Sequence, residues 1–230
     1  MKSWIMTSLV VVGSLSICRA DFAKGSQSIA LYGGFGSSSS EYDYHPGDKD
    51  SVSGAGGAFG GQYLYYVKGS PAIAIGADFL AAPNGTRHSD DPLCGFNTDA
   101  RVKSQVGLIT ARLAYPKGQL RPYIFSGIGA YTGSQQLSAQ PVAGTTWADG
   151  GTDRRIMLDD HRTGAAVGFG IGLDLFPTES FFIGTELRGT WLAGLRAKET
   201  QALRDAGFHA DNEDGTVQSY VLMHLGWKFK

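Results

Sequence analysis

The chain has 230 residues, enough for one domain, with 18% charged residues and a formal net charge of −1. That charged fraction lies below the roughly 25% of soluble domains, and the near-zero balance excludes a global basic field for nucleic acid. Glycine (33 residues) and aromatics (11%) are abundant instead.

The N-terminus opens with Lys2, runs apolar from Trp4 to Ile17 and reaches small residues at Cys18-Arg19-Ala20. This pattern is a secretory signal peptide cleaved after Ala20. Its run is shorter than the ~20 residues of a membrane-spanning helix. Residues 1–20 are therefore assigned as the signal and 21–230 as one β-barrel domain. A lipid-attachment box at Leu15-Ser16-Ile17-Cys18 is the weaker alternative, because Ile17 is large for its place. Beyond the signal only Cys94 remains, which rules out an intramolecular disulfide in the processed chain.

Eight strands follow, at about 26–36, 55–67, 72–81, 102–115, 121–133, 162–176, 180–193 and 216–229. The sixth, "RTGAAVGFGIGLDLF", shows the logic. Its odd positions, Thr163 to Leu175, are mostly bulky and apolar. Its even positions are Gly164, Ala166, Gly168, Gly170, Gly172 and Asp174. A period of two makes a strand with two faces. A half-buried soluble strand would carry polar side chains on its wet face, and this one has none. Bulky apolar residues toward lipid and small or polar residues toward a narrow interior fit a membrane barrel.

The connections alternate in length. "KGSP" (68–71), "PKGQ" (116–119) and "PTE" (177–179) are tight turns, whereas 37–54, 82–101, 134–161 and 194–215 read as long loops. Most of the charge lies in the long segments and is mainly acidic. The last one contains "LRAKETQALRDAGF", expected as a short helix with Gly207 as its C-cap. Tyr65, Tyr66, Tyr115, Tyr123, Phe176, Phe181, Phe182, Trp227 and Phe229 fall near the tight turns or the C-terminus, as an interfacial girdle would. Phe35, Phe79, Tyr131 and Trp191 form a candidate outer girdle. The fold class is thus all-β: an eight-stranded antiparallel up-and-down transmembrane β-barrel with short periplasmic turns and four long extracellular loops.

With the closing "GWKF" and the Pro-Tyr, Gly-x-Gly pattern in "RPYIFSGIGAY" (121–131), the chain resembles the small Gram-negative outer-membrane barrels of the OmpX/Ail, OmpA membrane-domain and opacity-protein type. The resemblance implies residence in the bacterial outer membrane. It also implies that Gly226, Trp227 and Phe229 signal to the barrel-assembly machinery, although Lys230 follows Phe229 here. No peptidoglycan-binding domain follows the barrel.

The inner face carries the candidate chemistry. Glu186 and Arg188 share parity on the seventh strand, and lipid would penalise both by a few kcal/mol near the midplane, so they point inward. The "PTE" turn sets Gly168, Gly170 and Gly172 opposite that face, leaving room for long charged side chains. Asp78, Arg112, Asp174, His224 and Lys228 are further inward candidates, either as a buried ion-pair network filling the lumen or as the lining of an ion path. Val106, Leu108 and Thr110 share the parity of Arg112, and Ile109, Ala111, Leu113 and Tyr115 are assigned to lipid.

His224 faces inward, away from a lipid substrate, and no His-x-Ser pair lies nearby. No catalytic residue and no cofactor is assigned, and the chain is not read as an enzyme. His45, His88, His161 and His209 each sit near acidic residues in a long segment, but none has short-range ligand spacing, so no metal site is assigned. The function expected is a structural or surface-interaction role of the adhesion type, carried by the extracellular loops. The alternatives are a small pore for ions or solutes and, third, a lipid A-modifying enzyme. Expected partners are outer-membrane lipid, lipopolysaccharide, the barrel-assembly machinery and a ligand met through the loops, with no nucleic acid.

Overall fold

The computed structural model describes residues 22–44, 48–91, 96–147, 149–195, 200–201, 210–211 and 215–230. The proposed signal peptide, Cys94, His45, His209 and most of the expected 194–215 helix lie outside them. The principal strands are β1 (Gln27–Tyr44), β2 (Asp48–Gly69), β3 (Ala72–Asp91), β4 (Phe96–Ala114), β5 (Leu120–Pro141), β6 (Arg155–Leu175), β7 (Phe181–Leu192) and β8 (Thr216–Phe229). Each pairs antiparallel with its sequence neighbour. β8 closes the ring on β1, with Gln27 opposite Phe229 and Tyr32 opposite His224. Closure leaves no sheet edge inside the membrane, where an unpaired backbone group costs several kcal/mol.

Burial alternates residue by residue along β4, β7 and β8. The outward side chains are the apolar ones, among them Ile109 at 69% exposure, Ile128 at 68% and Val221 at 59%. They encircle the wall as a continuous belt. Water would penalise so much exposed apolar surface, whereas hydrocarbon matches it. On β4, Val106, Leu108, Thr110 and Arg112 face in, and Ile109, Ala111, Leu113 and Tyr115 face out.

Two sequence expectations need correction. The first concerns loops. The β1–β2 hairpin stays paired up to Tyr44 opposite Asp48, and β3–β4 up to Asp91 opposite Phe96. The segments 37–54 and 82–101 are therefore largely strand, and only the β5–β6 and β7–β8 connections are long. The sequence of those two segments is mostly polar, so hydropathy loses its period while backbone pairing continues, with register shifts between Ala55 and Phe59 and between Ala82 and Gly85. A two-residue strand, Ala210–Asp211, adds a further pairing to the tip of β1.

The second concerns the girdles. Tyr65, Tyr115, Trp227 and Phe229 are exposed on the outer wall, whereas Tyr66, Tyr123, Phe176 and Phe182 are buried inside it. Tyr131, expected in the outer girdle, also turns inward. Tyr65 and Tyr66 show why: adjacent residues on a strand point to opposite faces, so proximity to a turn does not decide the side.

Candidate functional site

Inward parity on eight strands brings the polar side chains together along the barrel axis. Arg188 on β7 and Asp78 on β3 stand on opposite walls, four strands apart in the ring of eight. Their side chains are 1% and 0% exposed, and the guanidinium donates to both carboxylate oxygens at 2.6 and 2.9 Å. The Arg188 Nε also donates to Glu186 at 2.7 Å. The remaining acceptor capacity is met by neighbours: the Tyr32 hydroxyl (2.6 Å) and Gln62 amide (3.1 Å) donate to Asp78, and the Tyr123 hydroxyl donates to Glu186 at 2.8 Å.

Nearer the short-turn end, Asp174 pairs with Arg112, and its other oxygen lies 2.7 Å from Nε2 of His224. The Arg112 guanidinium sits 3.3 Å over the ring of Tyr123, so one tyrosine joins both clusters. Below them the short-turn mouth is filled by rings. Phe22 stacks on Tyr66 at 4.0 Å, and Phe176 stacks on Phe182 at 5.1 Å. The fully buried Arg121 lies 4.3 Å from the ring centre of Phe22 and 4.5 Å from that of Phe176. Six of the seven residues assigned to the interior, Asp78, Arg112, Asp174, Glu186, Arg188 and His224, are brought together here. Lys228 stands apart, half-buried at the short-turn mouth, 5.8 Å over Phe22.

Sequence reasoning did not assign Tyr32, Gln62, Tyr123, Arg121 or Phe22 to the interior. Strand parity was the available signal for the first four, since each lies in step with an inward neighbour. Phe22 precedes the strands and gives no such signal. The bare glycine face of β6 also needs reinterpretation. Gly170 and Gly172 do stand opposite Arg188 and Glu186. Yet a Cβ at Gly170 would come within 2.4 Å of the Phe125 ring, and one at Gly172 within 2.2 Å of the Tyr123 ring. The glycines make room for aromatic rings from β5, and those rings support the charged groups.

Gly226 faces in beneath Phe182, while Trp227 and Phe229 face outward on the closing strand. Of the histidines in the long segments, His161 lies exposed on the outer face of β6 and His88 lies within β3. Neither sits on a loop tip.

The long-hairpin end is also filled. Ser104 on β4 and Gln218 on β8 form hydrogen bonds of 3.0–3.1 Å, joining walls that are again opposite. Above them the 142–154 connection turns in, packing Trp147 against Leu137, Met157 and Leu158. The guanidinium of Arg155, the first residue of β6, lies 5.1 Å from the Trp147 ring centre and pairs with Asp149 and Asp153 of the connection.

The Gly151 amide and Arg155 hold the Asp149 carboxyl below the usual carboxylate range, and Arg155 does the same for Asp153. A carboxyl lowered by folding contributes stability above its ordinary pKa and loses it as pH falls through the lowered value. Protection factors of the Trp147 and Gly150 amides, which bond to Gly151 and Trp147, are thus expected to fall below the usual carboxylate range. Those of the barrel strands should hold at the same pH. Equal protection of the connection at pH 6 and pH 2 would remove the role of these carboxylates.

Over residues 7–229 the sequence matches the family model of the outer membrane protein beta-barrel domain. Among solved structures the chain is similar to the outer membrane protein OprG of Pseudomonas aeruginosa, at 13% identity over 90% of this chain and 98% of that one, with a TM-score of 0.45. It is similar to the N-terminal β-barrel domain of OprF from the same organism at 12% identity, over 90% and 100%, with a TM-score of 0.42. It is also similar to Ail, the attachment invasion locus protein of Yersinia pestis, at 14% identity, over 90% and 99%, with a TM-score of 0.39. No curated protein matches the sequence.

Proposed function

The chain belongs to the outer membrane protein β-barrel domain family, and from that premise we propose that it is a closed scaffold of the bacterial outer membrane. Its long-hairpin end faces outward and carries a surface-interaction role of the adhesion type. In this reading residues 1–20 are the export signal, and the outward Trp227 and Phe229 on β8 serve recognition by the assembly machinery.

One observation carries the closed lumen: the two-bond bridge from Asp78 to Arg188 across opposite walls, with both side chains buried. A conducting path needs charged groups held at its wall and facing water. Here these groups face one another, and rings fill the mouth below them. A barrel of eight strands is just wide enough for side chains to fill. Work then falls to the surface beyond the membrane, where the β1–β2 and β3–β4 hairpins project and the 142–154 connection covers the barrel end. The inward-facing His224, held by Asp174, supports a role without lipid chemistry.

Refolded protein in a planar bilayer tests the closed lumen. The expected record is silence from a barrel whose heat-modifiable migration shows it to be folded. Discrete current steps that change in Glu186→Gln would replace this reading with the pore. Deleting residues 143–153 tests the surface role. Cells displaying the shortened, still heat-modifiable barrel should lose attachment to an epithelial or matrix-coated surface, and undiminished attachment would sink the assignment to that connection.

A further inference from the structure

We infer that the gap between the β1–β2 and β3–β4 hairpins, beyond the apolar belt, takes up an extended basic polypeptide segment of a partner protein as an added strand. The inference deepens the proposed surface-interaction role and rests on it.

Strand pairing around the ring is unequal above the belt. β2 stays paired with β1 as far as Asp48, and β3 with β4 as far as Asp91. β2 and β3 pair with each other only as far as Ala55 opposite Thr86. Past that point, residues 48–54 of β2 and 87–91 of β3 are each paired on one side. Among the described residues nothing pairs with them on the side where the other hairpin stands. The separation has a local cause. The β2–β3 ladder shifts register between Ala55 and Phe59, and the β3–β4 ladder between Ala82 and Gly85. β3 carries Pro83 at its shift, which has no N–H to give to a ladder, and β2 carries Gly54, Gly56 and Gly57, which have no side chain to pack.

Two open edges therefore bound one gap. Along an antiparallel strand the N–H and C=O groups of alternate residues turn to the same side, so each edge offers backbone donors and acceptors to the gap. The edges are seven and five residues long, which at about 3.3 Å per residue makes them roughly 17–23 Å deep, the length of an ordinary strand. At the foot of the gap Gly54, Gly56, Gly57 and Ala82 line a small cavity. Unpaired groups on a strand edge recruit another strand. A segment lying between two edges bonds through both sets of its alternate residues, whereas a single sheet edge engages only one set.

Charge selects the segment. The two edges carry Asp48, Asp50, Asp90 and Asp91 against Lys49 and Arg87. A second copy of the chain would bring aspartates to aspartates, and like charges directly opposite one another disfavour pairing. A segment with Lys or Arg at alternate positions has the complementary sign, and at strand spacing its charges act within the Debye length of about 8 Å. Main-chain hydrogen bonds supply the affinity in this mode of recognition, and side chains supply the selection.

The probe is a fluorescein-labelled octapeptide of alternating Lys and Thr, titrated into phosphatidylcholine bicelles holding the refolded full-length protein and followed by anisotropy. N-methylation at every second residue keeps its charge and removes the N–H groups that one edge receives. That peptide is expected to bind roughly tenfold more weakly or worse. An octapeptide of alternating Glu and Thr should not bind at the same concentration. Amide exchange of residues 48–54 and 87–91 should slow in the complex, with that of the 142–154 connection unchanged. Asp48→Asn/Asp50→Asn/Asp90→Asn/Asp91→Asn should weaken binding, whereas Asp149→Asn/Asp153→Asn should not. Equal binding of the parent and methylated peptides overturns the inference, because the attraction is then ionic without strand addition. Absence of binding, or slowed exchange only outside the two edges, overturns it as well.

The protein lacking residues 143–153 is expected to bind the peptide as the wild type does, so the strand site and the attachment role of that connection fail separately. Bicelles have no sidedness, and orientation is read by labelling Ser51→Cys, in a Cys94→Ser background, with a membrane-impermeant maleimide on intact cells. Absence of label there would overturn the outward placement of the long-hairpin end, and with it the surface role of the gap.

Discussion

Replacing Arg188 by methionine is expected to destabilise the barrel by about 3–5 kcal/mol, the cost of breaking a buried ion pair from one side. The methionine side chain is shorter but of similar volume, so the loss is mainly electrostatic. Asp78 and Glu186 would remain in the lumen with the tyrosine hydroxyls of Tyr32 and Tyr123 and the Gln62 amide as donors. Those donors satisfy lone pairs but do not neutralise charge. Denaturant unfolding in lipid vesicles, followed by tryptophan emission and heat-modifiable migration, measures the change. Combining Arg188→Met with Asp78→Asn and Glu186→Gln removes all three charges and is expected to recover most of the loss, because a neutral core avoids the desolvation of ions. A single variant as stable as the wild type would mean that the lumen admits water around Asp78, and the closed-lumen reading would fail with it.

The second large effect lies on the outer wall. Ile171 is 56% exposed in the middle of the apolar stretch of β6, opposite the equally outward Ile124 and Leu187. On a soluble protein a substitution at such a position would fall within about 0.5 kcal/mol of neutral. In a bilayer Ile171→Arg is expected to cost about 2–4 kcal/mol. Thr163→Arg lies on the same face of the same strand, four residues beyond Val167, and should be near neutral because it sits above the belt. The difference between the two variants, measured in the same vesicles, reads depth directly. If both are neutral, the belt does not contact hydrocarbon, and the membrane assignment of β6 is wrong.

The two effects draw on different parts of the sequence signal. The outward placement of Ile171 is legible from the strand itself, since a period of two and the cost of charge in lipid are both local. The same reasoning turns Glu186 and Arg188 inward without any knowledge of their partners. It does not reach the partner of Arg188. Asp78 is 110 residues away in the chain, and only closure of the ring sets β3 across from β7. Nor does it show that Tyr123 and Phe125 occupy the space above Gly172 and Gly170, because that depends on the offset between β5 and β6 and on the narrowness of the lumen. Strand parity turns Arg121 inward, but its packing between Phe22 and Phe176 was beyond reach for a related reason. A guanidinium between two rings has no periodic signature, and Phe22 enters the mouth from a segment that is not a strand.

Sequence alone determined the class of this protein. Each strand has to present one face that lipid tolerates and one that fits a narrow interior, and this requirement acts on residues i and i+2 regardless of the rest of the chain. The tight turns likewise set register over short distances, which is why the glycines of β6 and the charges of β7 could be set opposite one another. Tertiary structure alone decided how the interior is filled and where the strands end. Cross-lumen pairing is a property of ring closure, with no local marker at either partner. Past the membrane the hairpins continue through backbone hydrogen bonds, which hydropathy does not record.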